Sequence, residues 1–296
     1  MSKLRQSRVR ANGLDFACLE AGSEGAPLAL CLHGFPDTAH TWRHLLPSLA
    51  SVGYRAVAPF LRGYAPTAIP ADGRYQSAIL SRDAIALIEA LGATRATVIG
   101  HDWGAVAAHG AAILAPERVR KLVTLSVPHR TAGVAIATSY DQQRRSWYMF
   151  FFQSPFADAA VAANDYAFLE RLWQDWSPGW KPEPEDVDAL KRCFREPGVL
   201  QAALGYYRAF YDPAKQDPAL AADQMRAMSA EVPVETLYLH GADDGCIGVG
   251  ATRGMEAGYA AGVRKVIVEG AGHFLHLERP RVVNDAIRDF LGAAMP

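Results

Sequence analysis

The chain has 296 residues, half of them hydrophobic and 21% charged, with a formal net charge of -1. That length suits one large domain or a core carrying an insertion, and the composition is that of a globular chain. The near-neutral balance, with a pI of about 6.8, excludes the basic face that nucleic acid or an anionic membrane would require.

The amino terminus, "MSKLRQSRVRANG", is basic but has no apolar run behind it. It reads as neither a secretory signal nor a transit peptide. "LALCLH" (28–33) predicts a buried strand, followed by a loop and the helical pattern "TWRHLLPSLASVG" (41–53). "YRAVAPF" (54–60) predicts a second strand. "SAILSRDAIALIEALG" (77–92) has apolar residues at helical spacing and stops at a glycine. "ATVIG" (96–100) reads as a strand, "AVAAHGAAILA" (105–115) as a helix and "RKLVTLSV" (120–127) as a strand. Such alternation predicts parallel strands with crossover helices on both faces.

After Pro128 the rhythm breaks. Residues 131–230 show no convincing strand and are aromatic and proline-punctuated, as in "RRSWYMFFFQSP", "WQDWSPGWKPEPED" and "GYYRAFYDP". Strand-like runs return at "VETLYLH" (234–240) and "VRKVIVEG" (263–270), and a helix "RPRVVNDAIRDFLG" closes the chain. The expected organisation is an α/β core, 1–130 with 231–296, carrying a helical insertion over 131–230. Cys18, Cys31, Cys193 and Cys246 are widely spaced and read as reduced thiols in the core. With no segment apolar enough to span a bilayer, a cytoplasmic location is expected.

Three short stretches carry the chemistry. In "VIGHDWGA" (98–105), Asp102 lies between a strand and a helix, flanked by Gly100 and Gly104. Small flanking residues allow a sharp, strained turn that exposes the central side chain at a helix amino terminus. An ordinary helix cap would also explain an aspartate there. "HGADDG" (240–245) follows one predicted strand and "GAGHFLHLERP" (270–280) the next. They supply a carboxylate, Asp243 or Asp244, and His273 on a loop. His276 reads as packing. His33, His40 and His44 converge with no carboxylate set, so no metal and no cofactor are expected.

Together, "HGFPD", "LRGYAPT", "GHDWGA", "GADD" and "GAGH" resemble the aspartate-nucleophile branch of the α/β-hydrolase fold. That branch comprises epoxide hydrolases, haloalkane dehalogenases and haloacetate dehalogenases. The resemblance spans nearly the whole chain and implies a mostly parallel sheet flanked by helices, with a helical cap after the sixth strand. It implies the order nucleophile, acid, histidine: Asp102, Asp244 and His273. Asp244 is preferred over Asp243 because it lies three residues past Gly241. An oxyanion hole is implied at the N–H groups of Phe35 and Trp103, with Phe35-Pro36 a candidate cis bond.

A carboxylate suits displacement at carbon. Aspartate is ionised at neutral pH, and its attack on an sp3 carbon yields an alkyl ester that a histidine-activated water can cleave. An opening epoxide needs a proton donor, for which a neutral phenol is suited. In "WYMFFFQSP" and "GYYRAF" the resemblance places two lid tyrosines at Tyr148 and Tyr207, with Tyr206 the neighbouring alternative. Trp103 and Val106 stand where haloacetate dehalogenases carry arginines, and Phe35 where haloalkane dehalogenases usually carry asparagine. The implied activity is epoxide hydrolysis, with a small apolar epoxide and water as partners and homodimerisation left open. The alternatives are dehalogenation by the same nucleophile, and a non-catalytic ligand-binding role on this fold.

Overall fold

The computed structural model describes residues 4–292. Eight strands form one sheet: β1 Arg5–Ala11, β2 Leu14–Ala21, β3 Leu28–Leu32, β4 Arg55–Pro59, β5 Ala96–His101, β6 Val119–Leu125, β7 Thr236–Gly241 and β8 Val263–Val268. Their order is β1-β2-β4-β3-β5-β6-β7-β8. From β4 through β8 neighbours run parallel, whereas β1–β2 and β2–β4 are antiparallel. Every residue of β3 and β5 is buried, as strands covered on both faces require.

The strands from β3 onward lie where the apolar runs predict them. The β1–β2 hairpin was not anticipated. Its strand β1, "RQSRVRA", is polar and half exposed at the sheet edge, so it carries little apolar periodicity. Its signal is the turn: Asn12 and Gly13 have φ of 43° and 78°, between paired Ala11 and Leu14. Asn-Gly is the pair favoured for a two-residue hairpin.

Helices α1 Leu45–Ala50, α2 Ser77–Ala90 and α3 Trp103–Leu114 follow β3, β4 and β5. The helix expected from Thr41 splits into a 3-10 turn, Ala39–Trp42, and α1. Pro47 fits only the first turn of an α-helix, so α1 begins just before it. Between β6 and β7 lie α4 Thr131–Thr138, α5 Tyr140–Arg145, α6 Trp147–Phe151, α7 Ala157–Trp176, α8 Pro184–Arg195, α9 Val199–Tyr211 and α10 Ala221–Ser229. The backbone of α7 leaves helical geometry at Ala163–Tyr166. After β8 come α11 Leu275–Glu278 and α12 Pro280–Leu291. Helix α2 packs on α3, α10 contacts both, and α1 packs on α12. None of the described helices is long and apolar enough to cross a membrane.

This topology brings the loops after β3, β5, β7 and β8 to the carboxyl ends of neighbouring strands, where ligands of open α/β sheets gather.

Candidate active site

Asp102 is the first residue after β5 and caps α3, with φ 52° and ψ -120°. A non-glycine residue there stores strain that only a well-packed surrounding holds. The surrounding is tight: a Cβ on Gly100 would overlap the Gly104 carbonyl, and one on Gly104 would overlap that of Leu32. The turn turns the Asp102 carboxylate back over the sheet. Its Oδ1 accepts a hydrogen bond from the Phe35 N–H at 2.7 Å, and Phe35-Pro36 is cis.

His273, five residues past β8, is fully buried. Its Nδ1 donates to Asp244 Oδ2 at 2.9 Å, while Nε2 stands 3.6 Å from Asp102 Oδ2 and has no hydrogen-bond partner. Asp244 is buried, and its Oδ1 accepts the N–H groups of Cys246 at 2.7 Å and Ile247 at 2.8 Å. Asp243 is exposed. The structure therefore brings Asp102, Asp244 and His273 together and leaves Asp243 outside.

Burial pushes the His273 imidazole down, but Asp244 and Asp102 outweigh it and raise its pKa from 6.5 to about 10. Burial pushes Asp102 up, yet the nearby His273 and then the Phe35 N–H bring it below its ordinary value. Both shifts favour the charged form, a carboxylate facing an imidazolium.

Tyr148 on α6 and Tyr207 on α9 reach the same place from above. Their rings meet at 5.6 Å, nearly perpendicular. Burial pushes both phenols well above their ordinary pKa, so both are protonated at neutral pH. The Tyr207 hydroxyl has no hydrogen-bond partner of good geometry, and its ring meets that of Trp103 edge-on, centroids 5.1 Å apart. Tyr206 is spent elsewhere, donating to the Arg62 carbonyl at 2.8 Å. Asp102, Trp103, Tyr148 and Tyr207 line one cavity of about 180 Å³. Its wall continues along α3 through Val106 and is otherwise mostly apolar, with Ile136, Met149, Phe210 and Met228. Phe35 lies behind this wall, its ring 5.2 Å from that of Tyr207.

His33 is committed to structure: its Nδ1 donates to the Gly34 carbonyl at 2.9 Å and its Nε2 accepts from the Leu61 N–H at 3.0 Å. The second ring nitrogen has no lone pair left for a metal. His276 pairs with the Thr41 hydroxyl at 2.5 Å and stacks on Trp42.

Several contributors were missed in the sequence reading. The Trp176 carbonyl, at the end of α7, accepts the N–H groups of Gly245 at 2.9 Å and His273 at 3.0 Å. Trp173 Nε1 donates to the Pro36 carbonyl at 2.8 Å. Ser177 donates to Glu278 at 2.6 Å, and Glu278 accepts the Gly272 N–H at 2.9 Å. His101 donates through Nε2 to the His273 carbonyl at 2.9 Å. Burial drops its pKa to about 3, so it stays neutral. The Tyr148 hydroxyl lies 3.3 Å from Cys246 Sγ. Of these, only Cys246 offered a clue, standing two residues past Asp244.

The chain resembles known proteins over most of its length. The family described as alpha/beta hydrolase fold matches residues 27–280. Epoxide hydrolase A of Mycobacterium tuberculosis is 30% identical over 317 residues, covering 96% of each chain. Epoxide hydrolase 4 of Homo sapiens is 32% identical over 294 residues, covering 96% of this chain and 77% of that protein. The solved structure of an epoxide hydrolase from Bacillus megaterium with an inhibitor superposes with a TM-score of 0.84. It has 27% identity and covers 96% of this chain and 99% of that one.

Proposed function

From the premise that the chain belongs to the α/β-hydrolase fold family, we propose that it is an epoxide hydrolase working through an ester on Asp102. One observation carries the reading. A buried carboxylate at the turn faces two protonated phenols across an apolar cavity, with a histidine–aspartate pair behind it. A serine hydrolase needs no such phenols, and a departing halide needs no proton.

In the first step an Asp102 oxygen attacks an oxirane carbon, the carbon–oxygen bond breaks, and Tyr148 or Tyr207 protonates the leaving oxygen. Ester formation removes the charge of Asp102. His273 then loses one of the two carboxylates that raise its pKa, and its proton becomes easier to release. As the neutral base, oriented by Asp244, it takes a proton from water attacking the ester carbonyl. The Phe35 N–H, already on Oδ1, is placed to hold the oxyanion of that second step, with the Trp103 N–H as second donor. No step calls for a metal or cofactor. Residues 131–230 serve as the cap over a core of 1–130 and 231–296. Among the cap's helices, α6 and α9 deliver the two phenols, and the apolar wall suits a small apolar epoxide.

The test is a panel of styrene oxide, a haloalkane, a haloacetate and a simple ester, run with wild type and His273→Gln. The expected outcome is diol from the epoxide alone, and an alkyl adduct on the Asp102 peptide in His273→Gln. Halide release with the epoxide left intact would move the assignment to dehalogenation. An adduct on any other residue would remove Asp102 from the mechanism.

A further inference from the structure

Tyr148 and Tyr207 face the same cavity but are not equivalent. The Tyr207 hydroxyl has no well-placed partner, whereas the Tyr148 hydroxyl has one, the Cys246 thiol at 3.3 Å. Both members of that contact are buried. Cys246 is also held on its backbone. Its N–H is bound by Asp244 Oδ1, and its carbonyl accepts from Gln142 Nε2 at 2.8 Å. Gln142 Oε1 in turn takes the Gly248 N–H at 2.9 Å. The sulfur therefore sits on the loop that orients His273, clamped from one side by the triad acid and from the other by α5.

We propose that Cys246 is a positioning residue for Tyr148: its thiol keeps the phenol aimed at the cavity and hydrogen-bonds the phenolate left when Tyr148 gives up its proton. The proposal rests on the epoxide-opening reading above. In the resting protein a sulfur is a weak acceptor, so the phenolic O–H is easily turned toward a stronger one, the oxirane oxygen. As Asp102 attacks carbon, the electron pair of the breaking bond goes to that oxygen, which takes the Tyr148 proton. The tyrosinate oxygen then accepts the Cys246 S–H, which rotates without leaving sulfur. His273, relieved of the Asp102 charge, gives its proton to the phenolate and, now neutral, takes one from the water that cleaves the ester, so the sum is epoxide plus water to diol. Tyr207 lacks such a partner, which makes Tyr148 the principal donor.

The experiment separates the two steps in single-turnover measurements with styrene oxide, using Cys246→Val, Cys246→Ser, Tyr148→Phe, Tyr207→Phe and the pairwise combinations. Cys246→Val should slow alkylation of Asp102 about 10-fold, the size of one hydrogen bond from a weak thiol donor to an oxygen gaining charge, with ester breakdown at the wild-type rate. The slowing should persist in Tyr207→Phe and vanish in Tyr148→Phe. Cys246→Ser, which keeps a donor at the same place, should restore alkylation to within about twofold of wild type. Thermal unfolding of each variant checks its fold, and Cys246→Ala carries the same expectation should the valine variant fold poorly. Equal slowing of both steps would assign Cys246 to the Asp244 loop alone. Full slowing in the Tyr148→Phe background, or none in any background, would overturn the proposal. A wild-type protein that forms no adduct with styrene oxide refutes the epoxide reading itself, and that arm is read before any variant.

Discussion

Asp102 and His273 form a charge pair whose balance shifts in the proposed cycle. Two carboxylates raise the His273 pKa to about 10 in the resting protein, and the ester leaves it only Asp244. Breakdown of the ester should therefore slow as pH falls through the histidine's pKa in that intermediate, which lies below its resting value. A single-turnover rate flat from pH 5 to 8 would exclude His273 as the base. The same charge has a stability consequence. A group whose folded pKa lies above its unfolded value stabilises fully below the unfolded pKa and loses that contribution as pH rises through the folded one. The stability margin of wild type over His273→Gln should thus be largest near pH 6 and shrink toward pH 10. Urea unfolding across that range reads it, and a margin growing with pH would contradict the imidazolium assignment. The two phenols complete this scale. Replacing either Tyr148 or Tyr207 with phenylalanine should slow alkylation, by about 10²-fold for the principal donor. Removing both should cost more than removing either. Ester breakdown should change little.

Adjacent residues of one helix point about 100° apart, and α9 divides its labour accordingly. Tyr207 enters the cavity while Tyr206 turns to the loop after β4, donating to the Arg62 carbonyl. Arg62 is held there by a buried pair with Asp83 on α2, at 2.7 and 2.9 Å, and Asn12 adds a third bond to Asp83 at 2.6 Å. Tyr206→Phe should cost stability, about 1–3 kcal/mol from the buried carbonyl left unpaired, with alkylation nearly unchanged. Loss of alkylation without loss of stability would exchange the roles of the two tyrosines. Arg62→Ala should cost more, about 3–5 kcal/mol, because it strands a buried carboxylate. These assignments mark where the sequence stopped being legible. "GYYRAF" admits either tyrosine, since only the rotation of α9 against the core separates them. "GADD" likewise admits two carboxylates until burial and the N–H groups of Cys246 and Ile247 distinguish them. The parallel strands and the turn at Asp102 could be read because each is written locally, in apolar runs and in paired glycines. The edge hairpin lacked such a run, and Trp176 acts through its backbone carbonyl, which any residue possesses.

At the scale of the molecule, the proposed site is drawn from both sides of the proposed 131–230 cap. Asp102 comes from before it, Asp244 and His273 from after it, Tyr148 and Tyr207 from within it. The Trp176 carbonyl joins the last two groups by receiving the N–H groups of Gly245 and His273. Those amides should exchange with solvent as slowly as the amides of β5, only with opening of the whole fold. Exchange by mass spectrometry tests this, and fast exchange at both sites would mean that the end of α7 lifts away while the sheet stays folded.

That carbonyl also sets where this chain tolerates recombination. A chimaera that exchanges 131–230 as a cassette, with breakpoints chosen from the strand pattern, takes Trp176 and Ser177 from one parent and the histidine loop from the other. The histidine's backbone would then hang from a foreign helix end, and a small offset there is transmitted to Nε2. Under the proposed division the stretch from Trp173 to Ser177 falls in the cap, yet its hydrogen bonds tie it to the Gly272–Glu278 segment. Breakpoints that leave it with its own Gly272–Glu278 segment keep the catalytic geometry intact while the rest of the lid is varied.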